Sequence, residues 1–294
     1  MSIHEVYDIA KDSVLIVFVR RGLQQYVQRL ALSSADPAPR PASRAHTLPN
    51  SPMTHCTTCQ LCHFCLPAGM SRPDVIRVAP LVRRRVRLPK RDAAYSAGDA
   101  ARSIYAVRAG TLKTHFTSRN GREKVAGFHL PGEIVGLDSL ASATHPVSAT
   151  ALEDASLCEI PADALKTRAT EFAALHHRLV ENFGESSRRD RELATMLVLM
   201  SADERIATFL LDYSSRLAAR GYAASEFLLR MTRDDIGNYL GLKLETVSRV
   251  LTRLANTGFI AVRSRHIAIL DRDALQSVST GTFVPSQSVD GARN

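Results

Sequence analysis

The hydrophobic pattern of this chain changes period once, near Pro161, and that change excludes most architectures. From about Arg77 to Ile160 short apolar runs are separated by turn residues: Ser96-Ala97-Gly98-Asp99, Ala109-Gly110, Ser118-Arg119-Asn120-Gly121 and Pro131-Gly132-Glu133. Asn120-Gly121, flanked by Thr111–Phe116 and Lys124–Leu130, is a hairpin signal, because both residues tolerate the positive φ of a tight turn. Strands recurring about every dozen residues predict an antiparallel barrel or roll. From Pro161 the spacing is helical. Strands first and helices afterwards give an α+β chain rather than an alternating α/β one.

Within Phe172–Met200, the residues Phe172, Leu179, Leu193 and Met200 share one seven-residue spacing, and Phe183 and Leu197 share a second. Such a seam suits a long helix paired with its own copy. Asp190 falls on the second seam, between Phe183 and Leu197. A helix over Glu204–Ala219 and a turn at Arg220-Gly221 follow, and Thr232–Asn256 reads as a two-helix unit. Thr232 with Asp235 can form a capping box. Ile236 and Leu240 supply an apolar face, and Gly241 ends the helix.

In the second helix of the unit, starting near Leu244, a rotation of about 100° per residue gathers Val247, Val250, Leu251 and Leu254 on one side. Glu245, Ser248, Arg249 and Thr252 gather on the other. Arg249 can bond guanine O6 and N7 together, Glu245 can accept from a cytosine amino group, and Ser248 can meet base or phosphate. The same face could instead hold an intrahelical Glu245–Arg249 pair. Strands at Phe259–Val262 and His266–Leu270, joined by Arg263-Ser264-Arg265, read as a wing whose arginines can touch phosphate.

Lys plus Arg number 38 against 29 Asp plus Glu, a formal charge of +9, which favours a polyanionic partner. No apolar stretch approaches the ~18 residues that span a bilayer. The longest early run, Val14–Val19, is closed by Arg20 and Arg21 with no cleavage signal, so the cytoplasm is the expected address. Cys56, Cys59, Cys62 and Cys65 lie within ten residues, and Cys158 stands alone far downstream. Clustered cysteines in a reducing compartment point to metal rather than disulfides. Four thiolates can hold a tetrahedral zinc or an iron–sulfur cubane. Zinc knuckles bring two separated pairs, whereas cysteines at every third position resemble the compact runs of iron–sulfur proteins. Taken by itself, Cys158 after Leu157 reads as a small buried hydrophobe. No constellation of paired acid and base groups suggests an enzyme, and the histidines are scattered.

Residues 1–52 read as an extension, with a short strand at Ser13–Val19, a helical piece at Leu23–Leu32 and a Pro-, Ser- and Ala-rich flexible linker over 33–52. Met53 is a position where a native start could lie.

Several stretches carry a family resemblance: His55-Cys56-Thr57-Thr58-Cys59 and Cys65-Leu66-Pro67; Gly127-Phe128-His129-Leu130-Pro131-Gly132-Glu133; Leu157-Cys158-Glu159-Ile160-Pro161; and Asp235-Ile236-Gly237-Asn238-Tyr239-Leu240-Gly241-Leu242 through Leu244-Glu245-Thr246-Val247-Ser248-Arg249. From about His55 to Ala274 the chain resembles the CRP/FNR superfamily, and within it the FNR branch. The resemblance implies an N-terminal antiparallel β-roll of the cyclic-nucleotide-binding kind, a long dimerisation helix and a C-terminal winged helix-turn-helix. The segments are then 1–52, the extension and linker; 53–70, the cysteine cluster; 71–170, the roll; 171–200, the dimerisation helix; 201–280, the DNA-binding domain; and 281–294, a disordered tail.

It further implies a [4Fe–4S] cluster held by Cys56, Cys59, Cys65 and Cys158, stable only without oxygen. Cys62 departs from the family pattern and is either spare or an alternate ligand. Asp190 matches an acidic residue at the dimer seam, where two facing carboxylates oppose pairing until the cluster tips the balance. A homodimer would place two recognition helices about one DNA turn (~34 Å) apart on an inverted repeat, with Glu245, Ser248 and Arg249 reading TTGAT-like half-sites. RNA polymerase is the implied partner in activation.

Superfamily members that bind cyclic nucleotides need an arginine beside Ser or Thr after the Gly-Glu. Here His145-Pro146-Val147-Ser148 has none, so no cyclic nucleotide is expected. A DNA-binding protein with a structural zinc site, and a redox sensor using thiols, are the alternatives.

Overall fold

The computed structural model describes residues 56–118 and 120–282, with the backbone alone of His46–Thr47. The elements expected within residues 1–32 and most of the expected tail lie outside the described residues. In the expected linker, His46–Thr47 (β1) pairs antiparallel with the following strand, an order that its Pro- and Ser-rich surroundings did not announce.

Residues Arg72–Val78 form a helix (α1), so the strand region opens later than the expected Arg77, at Arg84. Ser71 supplies the cap and a proline sits in the first turn, a start signal that outweighs the apolar run behind it. Strands follow at β2 (Arg84–Leu88), β3 (Ala93–Tyr95), β4 (Ser103–Ala109), β5 (Leu112–Thr117), β6 (Glu123–His129), β7 (Ile134–Val135), β8 (Ser148–Ala151) and β9 (Ala155–Pro161). They build two antiparallel sheets, ordered β1-β2-β9-β4-β7 and β3-β8-β5-β6. This is the expected roll. The Asn-Gly hairpin is present, with Thr117 paired to Glu123 across the turn.

Two helices leave the roll, α2 (Ala162–Glu171) and α3 (Ala173–Leu199), separated by extended backbone at Phe172. A complete capping box at Ser201 and Glu204 starts α4 (Ala202–Ala219). Then come β10 (Glu226–Leu228), α5 (Arg233–Leu240), α6 (Leu244–Asn256), β11 (Ile260–Arg263), β12 (His266–Ile269) and α7 (Arg272–Ser279). The wing is a three-stranded sheet ordered β10-β12-β11, where the sequence pattern suggested two strands. Three residues of β10 are too few for an alternation to stand out.

The core explains how these parts are held. One apolar cluster joins Val125, Phe128 and Leu130 of the roll to Ile206, Phe209 and Leu210 of α4 and to Ile236, Leu240, Val247 and Val250 of the two-helix unit. A second joins Leu66, Val78, Leu81, Ile104 and Ile160 to Leu175 and Leu179 of α3. Among the described residues no helix is long and apolar enough to cross a membrane.

Candidate metal centre and nucleic-acid interface

The cysteine segment is wound into successive tight turns. The Cys59 amide donates to the Cys56 carbonyl (3.2 Å), the Cys62 amide to Cys59 (3.1 Å) and the Cys65 amide to Leu61 (2.9 Å). A chain that turns every three residues returns every third side chain to the same side. Cys56, Cys59, Cys62 and Cys65 accordingly line one cavity of about 290 Å³. Leu66, 2% exposed, anchors the segment against Val78, Leu81 and the start of α3.

The far wall of the cavity is the outer face of the first sheet. Strand alternation decides which residues reach it. Cys158 on β9 stands opposite Arg85 on β2 and Ala106 on β4, and these three share the face turned to the cysteine segment. Glu159 points to the other side, where it accepts from Ser103 Oγ (2.9 Å) and pairs with Arg84. Arg108 lies in a β-bulge between Val107 and Ala109 and also lines the cavity. The fold therefore gathers all five cysteines, four local and one remote.

Among the described residues no three Cys, His or acidic side chains stand close enough to hold a single metal ion. The thiols are distributed around a cavity larger than one ion requires, an arrangement that suits a polynuclear core bound through one sulfur per metal atom. Burial pushes the Cys56 thiol up to about 11, and the neighbouring Cys158, Cys59 and Cys62 sulfurs add to it. Cys65 is pushed up to about 12, first by burial and then by Cys158, Cys56 and Cys59. Burial and Cys59 also raise Cys158, against the pull of Arg108 and Arg85. Thiols that repel one another as thiolates need a cationic core to stay deprotonated together. All five sulfurs, that of Cys62 included, line this cavity.

Contacts of this segment also reach α3 and the end of α4, and the sequence pattern signalled neither route. Arg178 on α3 donates to the Cys65 carbonyl (3.5 Å), beside the apolar contact of Leu66 with Leu175 and Leu179. Phe64 lies over Gly132, where a Cβ would come within 2.6 Å of the Phe64 Cβ, and the Arg220 guanidinium of α4 sits 5.6 Å from its ring. Gly132 has φ +92°, so glycine is required there by backbone as well as by space.

Arg220 also bonds Glu133 (2.7 Å), as does Arg216 (2.7 Å), with Arg189 of α3 at 3.6 Å. Glu133 is 8% exposed. Burial alone would raise its carboxyl, but the surrounding arginines reverse that and hold it below the usual range. One buried carboxylate on the roll thus gathers cations from both the long helix and the first helix of the DNA-binding domain.

The two-helix unit has the expected caps. Thr232 and Asp235 form the capping box, and Gly241 closes α5 in the left-handed conformation. Val247, Val250, Leu251 and Leu254 are the buried face of α6. Glu245, Arg249 and Thr252 are exposed and Ser248 is half-buried. The considered Glu245–Arg249 pair is not formed among the described residues. Arg249 instead lies by Thr246 Oγ1 (3.4 Å), and Ser248 Oγ accepts from Arg233 (3.1 Å). Arg263 and Arg265 are exposed on either side of Ser264 at the tip of the wing.

Other residues of the same motif serve docking. Asp235 pairs with Lys113 of β5 (2.9 Å), and Asn238 accepts from the Val125 amide (2.6 Å) while donating to the Glu123 carbonyl (2.7 Å). Tyr239 packs edge-on against Phe128 at 5.3 Å.

The long-helix seam differs from its heptad reading. Leu179 is buried against the roll, Phe172 packs beside it, and Leu197 touches Gly241 of the same chain. Val180 and Phe183 are the exposed apolar residues in the first half of α3, and Val198 and Leu199 in its last turn. Heptad counting cannot tell which stripe the chain's own roll will cover. Asp190 is exposed, and its carboxylate adds to the raising of Asp138 on the roll, which burial begins.

Residues 204–278 match the family model of a Crp-like helix-turn-helix domain, and residues 85–170 that of a cyclic nucleotide-binding domain. The chain is 41% identical over 239 residues to the transcriptional activator protein Anr of Pseudomonas protegens, covering 81% of this chain and 96% of that one. It is 39% identical to an anaerobic regulatory protein of Haemophilus influenzae, covering 78% and 88%. The solved structure of FixK2 from Bradyrhizobium japonicum is 31% identical and covers 66% of this chain and 96% of its own, with a TM-score of 0.62.

Proposed function

The chain belongs to the CRP/FNR family of transcription regulators, in the group of the anaerobic activators, and from that premise we propose that it is an oxygen-responsive, DNA-binding homodimer controlled by a [4Fe–4S] cluster. The observation that carries the reading is the convergence of Cys56, Cys59 and Cys65 with Cys158 on one cavity beside the start of the long helix. When bound, the cluster supplies an oxygen-labile bridge between the cysteine segment and the roll.

The protein's own residues do the rest. Leu66 and Arg178 pass the position of the segment to α3, and Phe64 passes it through Arg220 to α4. The exposed Val180 and Phe183 offer apolar surface to a second copy, with Asp190 opposing that pairing. Glu245, Ser248, Arg249 and Thr252 face the major groove and read TTGAT-like half-sites of an inverted repeat, with Arg263 and Arg265 on phosphate. Activation proceeds through RNA polymerase, in the cytoplasm. The protein carries no catalytic activity in this reading, and Cys62 is spare. The roll takes no cyclic nucleotide in this reading: Glu133 is committed to three arginines, and the segment His145-Pro146-Val147-Ser148, where His145 stacks on Tyr95 at 3.8 Å, offers no phosphate-binding arginine.

Protein purified without air should contain iron and sulfide and show visible absorbance that air bleaches. A colourless protein retaining zinc overturns the proposal in favour of a structural site. Two substitutions test its parts. Arg249→Ala should cost roughly 1–3 kcal/mol at the guanine of each half-site and relax discrimination there, measured by binding to base-substituted duplexes. An equal loss on every duplex would make Arg249 a phosphate contact. Phe64→Ala should keep full iron content yet weaken anaerobic DNA binding by roughly five- to tenfold, the size of a modest coupling between sites. Unchanged affinity would remove Phe64 from the route.

A further inference from the structure

One cation in the cavity wall carries a buried N–H that the fold leaves unsatisfied among the described residues. Arg85 sits on β2 directly across from Cys158, and its Nη2 is buried with no hydrogen-bond partner among the described residues. Its neighbours on the strand differ. Arg84 pairs with Glu159 on the opposite face, and Arg87, opposite Ser156, is exposed. A buried guanidinium N–H without an acceptor is costly, and structures rarely retain one unless something else supplies the acceptor. The side chain lines the same cavity as the five sulfurs.

We infer that Arg85 is the counter-charge of the metal centre, directing its free N–H at the sulfur of Cys158 or at the core it holds. The inference rests on the cluster reading above. Four thiolates outweigh the positive charge of an iron–sulfur core, so the assembled centre is an anion enclosed in protein. A fixed cation beside it favours the more negative, reduced state and raises the reduction potential, and hydrogen bonds to the sulfurs act in the same direction. The same cation makes the centre harder to oxidise, so Arg85 sets how fast the cluster is lost in air. It is a positioning residue for the cluster and not a ligand.

The test uses full-length protein reconstituted without air, with iron content, midpoint potential and the decay of visible absorbance in air-saturated buffer as readouts. At equal iron content, Arg85→Gln should shift the potential downward and bleach several-fold faster. Arg85→Lys should lie nearer the wild type, and Arg87→Gln should match it. A glutamine variant with wild-type potential and decay overturns the inference. If Arg85→Gln does not retain iron, the lysine variant decides: retention supports a charge role, and loss from both variants shows a packing role and overturns it. Wild-type protein free of iron would instead overturn the function proposed above.

Discussion

Cys158→Ser protein prepared without air is expected to contain little iron, to sediment as a monomer and to lose specific DNA binding. The substitution is nearly isosteric: Cys158 packs at the margin of the cluster of Leu66, Ile104 and Ile160, while Leu157 and Glu159 on the other face of the strand keep their own apolar and polar partners. The fold should therefore survive, which far-ultraviolet circular dichroism and a thermal melt can check. The sulfur alone is lost, and with it the only one of the five thiols that belongs to the roll. A cysteine segment no longer tied to β9 cannot hold Leu66 and Arg178 in a fixed relation to α3. Specific affinity should then fall towards the non-specific level, roughly a thousandfold or more. Cys62→Ser provides the contrast, with iron and binding expected to be retained. Wild-type binding by the Cys158 variant would remove that residue from the switch, and loss of the cluster from the Cys62 variant would change the ligand set.

Glu133→Gln is expected to destabilise the fold strongly. The carboxylate is buried among Arg216, Arg220 and Arg189. Removing it leaves the largely buried Arg216 and Arg220 facing each other, with the more exposed Arg189 beside them, a loss of about 3–5 kcal/mol for a broken buried network. In a domain of this size that lowers the melting temperature on the order of 10 °C. Replacing Arg220 by leucine in the same chain should recover part of the loss, since one uncompensated charge is then gone. A melt unchanged by Glu133→Gln would show that the network is not what joins the roll to α4.

The sign of the pH dependence follows. Glu133 is held below its ordinary value, so its contribution is complete above the unfolded carboxyl range and disappears as the pH falls through the folded value. His129, 3.9 Å away, is pushed down to about 4 by burial, against the pull of Glu133. The unfolded histidine takes its proton near 6.5, so stability should fall as the pH drops from about 6.5 to about 4. Glu133 deepens the loss at the acid end, and Glu133→Gln should flatten that part of the profile.

Much of the DNA-binding surface was legible because helical periodicity is local. The buried and exposed faces of α6, the Thr232–Asp235 box and the Gly241 cap all follow from residues within a few positions of one another. The Asn-Gly hairpin and the roll were legible for the same reason. The seam expected on the long helix was only half so. Leu179 keeps the heptad spacing, yet the roll buries it, while Val180 and Phe183 stay exposed. Asp235, Asn238 and Tyr239 belong to a motif that reads as DNA-binding, but they face the β5–β6 hairpin of the roll.

The amino-acid order by itself determined where the clustered thiols lie, the class of most elements and which side of α6 meets water, because each depends on side-chain chemistry and spacing over a few residues. Only the tertiary structure decided that Phe64 meets Arg220, that Glu133 gathers three arginines and that one Arg85 N–H is buried without a partner on the strand beside Cys158. Those pairings join residues far apart in the chain. Which long-range partners meet is set by strand register and by how the buried surfaces pack, and neither is written in any local stretch.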